Sequence, residues 1–138
     1  MTQSADFAKQ CDGRQLLYID DDALALKSLT VLLQTMGYGV DSADDVNQGL
    51  SMFSEGNYAL VITDMNMPGM NGLRLTEEIK RIRPDTPVVI ISGSIDIDTK
   101  NLAINSRPDC VLVKPLIFSE FTTHLNRLMN QGASTDEG

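Results

Sequence analysis

Four short apolar runs constrain the fold of this chain more than any other feature: Leu16-Leu17-Tyr18-Ile19, Ala59-Leu60-Val61-Ile62, Val88-Val89-Ile90-Ile91 and Val111-Leu112-Val113. They are mostly continuous rather than alternating, and rich in β-branched residues. Strands buried on both faces of a parallel sheet read this way. A weaker fifth strand is expected at Val40-Asp41-Ser42-Ala43, whose polar content suits a sheet edge.

Between the runs the apolar spacing becomes helical. Residues 23–36 carry a stripe of Leu24, Leu29, Leu32 and Leu33 that stops at Gly37 and Gly39. Residues 46–53 and 73–82 carry two more stripes, with Asn71 placed to cap the second and Pro84 beyond its end. A shorter fourth helix is predicted over 97–104, and a fifth over 118–129 with Phe121, Leu125 and Leu128 on one face. Strand and helix alternate, which predicts right-handed crossovers. The fold class is therefore α/β: a doubly wound, flavodoxin-like sheet of five parallel strands with helices on both faces.

A length of 138 residues suits one domain, expected over 15–130, between a flexible N-terminal arm (1–14) and a flexible C-terminal tail (131–138). Eleven basic and nineteen acidic side chains give a net charge of −8, so direct nucleic-acid binding is disfavoured by repulsion. No apolar run is long enough to span a bilayer and residues 1–10 do not read as a secretory signal, so no membrane association and a cytoplasmic location are expected. Cys11, Cys110 and the single His124 lack metal-ligand spacing, so no zinc site is expected.

Each strong run ends in a group suited to phosphate or metal chemistry: Asp20-Asp21-Asp22, Asp64, Ser92 and Lys114. In a parallel sheet these ends share one edge, where doubly wound folds bind ligands. Singly, such residues are often turn formers or caps. Together they are harder to explain that way, because two carboxylates ~5 Å apart repel by about 3 kcal/mol at an effective dielectric near 20. A divalent cation removes that cost, and an all-oxygen ligand set favours Mg²⁺. Such a site suits phosphoryl transfer, with Asp64 as nucleophile, Lys114 pairing with one phosphoryl oxygen and the Ser92 hydroxyl donating to another.

These residues resemble those of response-regulator receiver domains. The resemblance rests on Leu17-Tyr18-Ile19-Asp20-Asp21-Asp22, on Val61-Ile62-Thr63-Asp64-Met65-Asn66-Met67-Pro68-Gly69-Met70-Asn71-Gly72, on Ile90-Ile91-Ser92-Gly93 and on Val113-Lys114-Pro115, and covers roughly residues 15 to 130. It implies that a sensor histidine kinase or histidine phosphotransfer protein donates the phosphoryl group to Asp64. Asp21, Asp64 and the Asn66 backbone carbonyl would ligate Mg²⁺, with Asp20 acting through water. It further implies a cis Lys114–Pro115 bond, a structural role for Pro115 and Gly72, and movement of Ser92 toward the phosphoryl group. The face made by the fourth helix, fifth strand and fifth helix would then change shape to bind a downstream protein target or a second copy.

Some positions depart from the family pattern. Val111 stands where many members carry a switching Tyr or Phe, Arg107-Pro108 replaces a common Gly-Ala turn, and Asn71 replaces a frequent Asp. Asn66 and Ser94 occupy the two positions that tune the phosphorylated lifetime, and the small, polar Asn66 predicts moderately fast self-dephosphorylation. Met65, Met67 and Met70 are expected to plug the loop or meet a partner rather than bind metal, because thioethers are soft and Mg²⁺ is hard. The chain is expected to act as a phosphoacceptor rather than an enzyme. A haloacid-dehalogenase-like phosphatase built on Asp20-x-Asp22 is the competing enzyme, but Leu24 stands where that motif needs Thr or Val, and Asp64 is left without a purpose. A scaffold that never carries phosphate is the other alternative; Val111 supports it and the full acidic set argues against it.

Overall fold

The computed structural model describes residues 15–93 and 106–137, with side chains described as far as 130. Five strands make one wholly parallel sheet: β1 (Gln15–Ile19), β2 (Gly39–Ala43), β3 (Leu60–Asp64), β4 (Val88–Ser92) and β5 (Cys110–Val113). The described helices are α1 (Ala23–Thr35), α2 (Val46–Glu55), α3 (Gly72–Ile82) and α4 (Phe118–Glu137), the last being the fifth helix of the sequence reading. The helix predicted over 97–104 lies outside the described residues, as do Ser94 and the arm 1–14.

Spatial order is β2-β1-β3-β4-β5, the flavodoxin-like order, in which the winding direction reverses between β1 and β3. The continuous apolar runs sit where their composition demands: β3 and β4 are buried at every position. The polar strand β2 is an edge, as expected, and the partly exposed β5 is the other.

Alternation along each strand divides the core between the two faces. Leu16 and Tyr18 of β1 join Leu29 and Leu33 of α1 and Phe121 and Leu125 of α4 on one side. Leu17 and Ile19 join Phe53 of α2 and Leu75 and Ile79 of α3 on the other. The period of 2 therefore decides that whatever follows Ile19 with the parity of Tyr18 faces the α1 side of the sheet.

Helix ends follow local chemistry. Gly37, at φ 100°, takes the chain out of α1, and the Tyr38 amide donates back to Leu33 O at 3.2 Å. Asn71 caps α3 as expected, its Oδ1 accepting the Arg74 amide at 2.9 Å. Arg83 lies 4.9 Å over the Phe53 ring and donates to Phe53 O at 2.7 Å and Gly56 O at 3.0 Å, closing the C-terminal end of α2 from the end of α3.

One element differs from expectation. The apolar stripe of the last helix ends near Met129, yet the backbone stays helical to Glu137 where a frayed tail was expected from 131. Extending a docked helix needs no new nucleus, the segment holds no proline, and its single glycine costs only about 1 kcal/mol.

Candidate functional site

The site forms at the C-terminal ends of β1, β3, β4 and β5, where the strand order reverses. Asp20 follows β1, its amide prolonging the ladder to Ala43 O at 3.1 Å. Asp64 is the last residue of β3 and lies opposite Ile91 of β4. Ser92 ends β4 opposite Val113, and the Lys114 amide donates to Ser92 O at 2.7 Å. Parallel register thus gathers at one rim residues that are far apart in the chain.

Asp20, Asp21 and Asp64 each offer a carboxylate oxygen within 4.8 Å of the others; Asp20 and Asp64 are buried and Asp21 is exposed. Lys114 reaches over this group, its Nζ 2.9 Å from Asp64 Oδ1, while Asp64 Oδ2 accepts the Asn66 amide at 3.1 Å. Asp22, grouped with the acidic run in the sequence, is instead the N-cap of α1, accepting the Leu24 amide at 3.0 Å and the Ala25 amide at 3.3 Å. A capping Asp22 is turned to its own helix.

Electrostatics agree with a crowded acidic rim. Burial pushes the Asp20 carboxyl above its ordinary range, and the Asp64 charge adds to this, while the Asp22 amide, the Tyr18 hydroxyl and Lys114 work in the opposite direction. The hydrogen bond to Asp64 holds the Lys114 ammonium above its usual value against the effect of burial. The donor set is three carboxylates with one ammonium beside them. Hard oxygen ligands at this spacing are competent to hold a divalent cation.

The remaining expected residues fall around this rim. Asn66 is exposed on the loop after β3, and Val111 is half-buried in β5 opposite Ile90. The Lys114–Pro115 bond is cis, as expected. Gly72 opens α3 pressed against the end of β3: a Cβ there would come within 3.0 Å of Asp64 O and 3.1 Å of the Met65 Cα. Met67 is buried in the α2–α3 core with Met70 packed against it, so these two methionines plug the loop.

Two contributors escaped the sequence reading. Tyr18 donates its hydroxyl to Asp20 Oδ2 at 2.7 Å; its parity with Asp20 along β1 was the available signal. A cavity of about 360 Å³ lies beside the rim between α1 and the chain around Pro115, with Tyr18, Asp20, Leu29, Lys114 and Leu116 in its walls. Such a space has no signature in a linear sequence.

Fold and rim together define a small doubly wound α/β protein with a metal-competent acidic edge overhung by one lysine. The chain belongs to the response regulator receiver domain family, whose model matches residues 16–126. Members of this family are signalling phosphoacceptors, and phosphoryl transfer is their general property. It is similar to a receiver domain protein from Clostridium thermocellum, with 31% identity and a TM-score of 0.80 over 88% of this chain and 98% of that one. It is also similar to the response regulator TrrA of Thermotoga maritima in complex with Mg²⁺–BeF, with 29% identity and a TM-score of 0.75 over 83% of this chain and 98% of that one. Among full-length relatives, the transcriptional regulatory protein BasR of Escherichia coli is 29% identical over 87% of this chain, and the cell cycle transcriptional regulator CtrA of Caulobacter vibrioides 26% over 85%. The chain spans about half the length of these two regulators, 56% and 51%. No helix among the described residues is long and apolar enough to cross a membrane.

Proposed function

We propose that this chain is the phosphoacceptor of a two-component phosphorelay, taking a phosphoryl group from a histidine kinase or histidine phosphotransfer protein onto Asp64 with Mg²⁺. The observation that carries the reading is the placing of Asp64 among Asp20, Asp21 and Lys114 at the reversal of strand order. An Asp64 carboxylate oxygen forms the new bond to phosphorus as the bond to the donor's imidazole nitrogen breaks, and the freed imidazole takes a proton. Mg²⁺, when bound by Asp21, Asp64 and the Asn66 carbonyl with Asp20 acting through water, supplies positive charge to the phosphoryl oxygens. Lys114 leaves Asp64 Oδ1 for one phosphoryl oxygen, and the Ser92 hydroxyl serves another. The exposure of Asn66 leaves water a path to the phosphoaspartate, which supports moderately fast self-dephosphorylation.

The output in this reading is a protein-binding surface in the cytoplasm. Its described part, on β5 and the start of α4, exposes Val113, Ile117 and Phe118, an apolar group of the kind that marks a protein contact. Residues 15–130 form the working unit, and Val111 makes the switch independent of an aromatic rotation.

The test is incubation with Mg²⁺ and acetyl phosphate, read by intact mass, with Asp64→Asn as control. Wild type gains one phosphoryl group and the variant none. Labelling that persists in the variant, or proceeds without a divalent cation, overturns the proposal.

A further inference from the structure

Tyr18 is 2% exposed in the α1-side core, where a phenylalanine would fill nearly the same volume. A buried phenol demands a hydrogen-bond partner, and here the partner is Asp20, itself 2% exposed. Asp20 Oδ2 accepts the Tyr18 hydroxyl at 2.7 Å, and Asp20 Oδ1 accepts the Asp22 amide at 3.0 Å. Both carboxylate oxygens are therefore held, one from the core and one from the turn into α1.

The hold has an opponent. Asp64 and Asp21 present like charge within 4.8 Å, and the adjoining cavity offers Asp20 room to swing away from them. Without a fixed donor on its inner oxygen, the carboxylate would relax away from the other two. A divalent cation would then have to draw it back.

We propose that Tyr18 is a positioning residue for the divalent cation: its hydroxyl keeps the Asp20 carboxylate turned toward Asp21 and Asp64, so that the acidic rim is assembled before the metal arrives. This rests on reading the rim as a Mg²⁺ site. Groups that orient the surroundings of a metal in this way typically govern its affinity by about 10- to 100-fold.

Mg²⁺ binding to the full chain, measured by titration calorimetry at neutral pH for wild type, Tyr18→Phe, Asp20→Asn and the double variant, tests this. Tyr18→Phe is expected to raise the Mg²⁺ Kd about tenfold while leaving the far-ultraviolet circular dichroism unchanged. In the Asp20→Asn background the same substitution is expected to have no further effect, because the group it orients is gone. Unchanged or tighter binding by Tyr18→Phe overturns the proposal, and so does an equal loss in both backgrounds, which is what a merely structural role predicts. If Tyr18→Phe does not fold, Tyr18→Met takes its place with the same expectations. Absence of Mg²⁺ binding by wild type overturns the Mg²⁺ site itself and this role with it, whereas a wild type that binds beside an unaffected Tyr18→Phe overturns only the role of Tyr18.

Discussion

Lys114 Nζ lies 2.9 Å from Asp64 Oδ1, a contact made across the sheet edge between the ends of β5 and β3. It places the only ammonium described at the rim on the carboxylate proposed to receive the phosphoryl group. The same charge opposes a cation, so Lys114→Met separates the two effects. Mg²⁺ is expected to bind that variant about fivefold more tightly, roughly 1 kcal/mol for removing a half-exposed like charge. Acetyl phosphate labelling is expected to fall sharply. Calorimetry and intact mass check the pair, and weaker Mg²⁺ binding would contradict it.

Burial holds the Asp20 carboxyl above its ordinary 3.8, which fixes the sign of a pH effect. The folded protein keeps that proton more readily than the unfolded chain. The resulting stability is whole below pH 3.8 and is lost as pH rises through the raised folded value. Without metal, Asp20→Asn is therefore expected to melt higher than wild type at neutral pH and to lack this component. With Mg²⁺ the order narrows, since wild type gains more from the ligand. Melting curves across pH, with and without Mg²⁺, check both statements.

Gly72→Ala offers a test whose sign is informative. Near a helix start, alanine normally gains roughly 0.5–1 kcal/mol over glycine where its conformation is permitted. Here the added Cβ meets two backbone atoms, Asp64 O at 3.0 Å and Met65 Cα at 3.1 Å, neither of which yields easily. A net loss of about 1 kcal/mol is expected, with slower labelling of Asp64. A urea midpoint at or above that of wild type would show that α3 moves freely against β3.

At the opposite edge of the sheet, buried Lys80 donates to Asp109 Oδ2 at 2.7 Å and to Thr86 O at 2.8 Å, and Asp109 Oδ2 also accepts the Val88 amide at 2.8 Å. Asp109→Ala leaves a buried ammonium without its counter-charge and a strand amide without its acceptor. The expected cost is about 2–3 kcal/mol, moderated because Asp109 is partly exposed. Lys80→Met leaves no buried charge and is expected to cost less. Equal losses in urea unfolding would argue that the ion pair itself supplies the stability.

The sites that read best in the sequence are those with a local cause. Asn71 announced a cap because Asn before an apolar stripe has a short acceptor within reach of the third amide. Asp22 was harder, since an Asp after a strand serves equally as ligand or cap, and only the amides of Leu24 and Ala25 decide between them. The Lys80–Asp109 pair joins α3 to the residue just before β5 and has no pattern in either segment. The α4 boundary was missed because the apolar stripe records where a helix is packed, not where it stops.

By itself the sequence determined the order of strands and helices, the two-faced core and which residue types end each strand, because period and composition are properties of neighbours along the chain. Tertiary structure alone decided which of those ends meet: Lys114 with Asp64, Tyr18 with Asp20, and three carboxylates within 4.8 Å. Those distances depend on sheet register and on helices docked across it. Neither is written in any one segment.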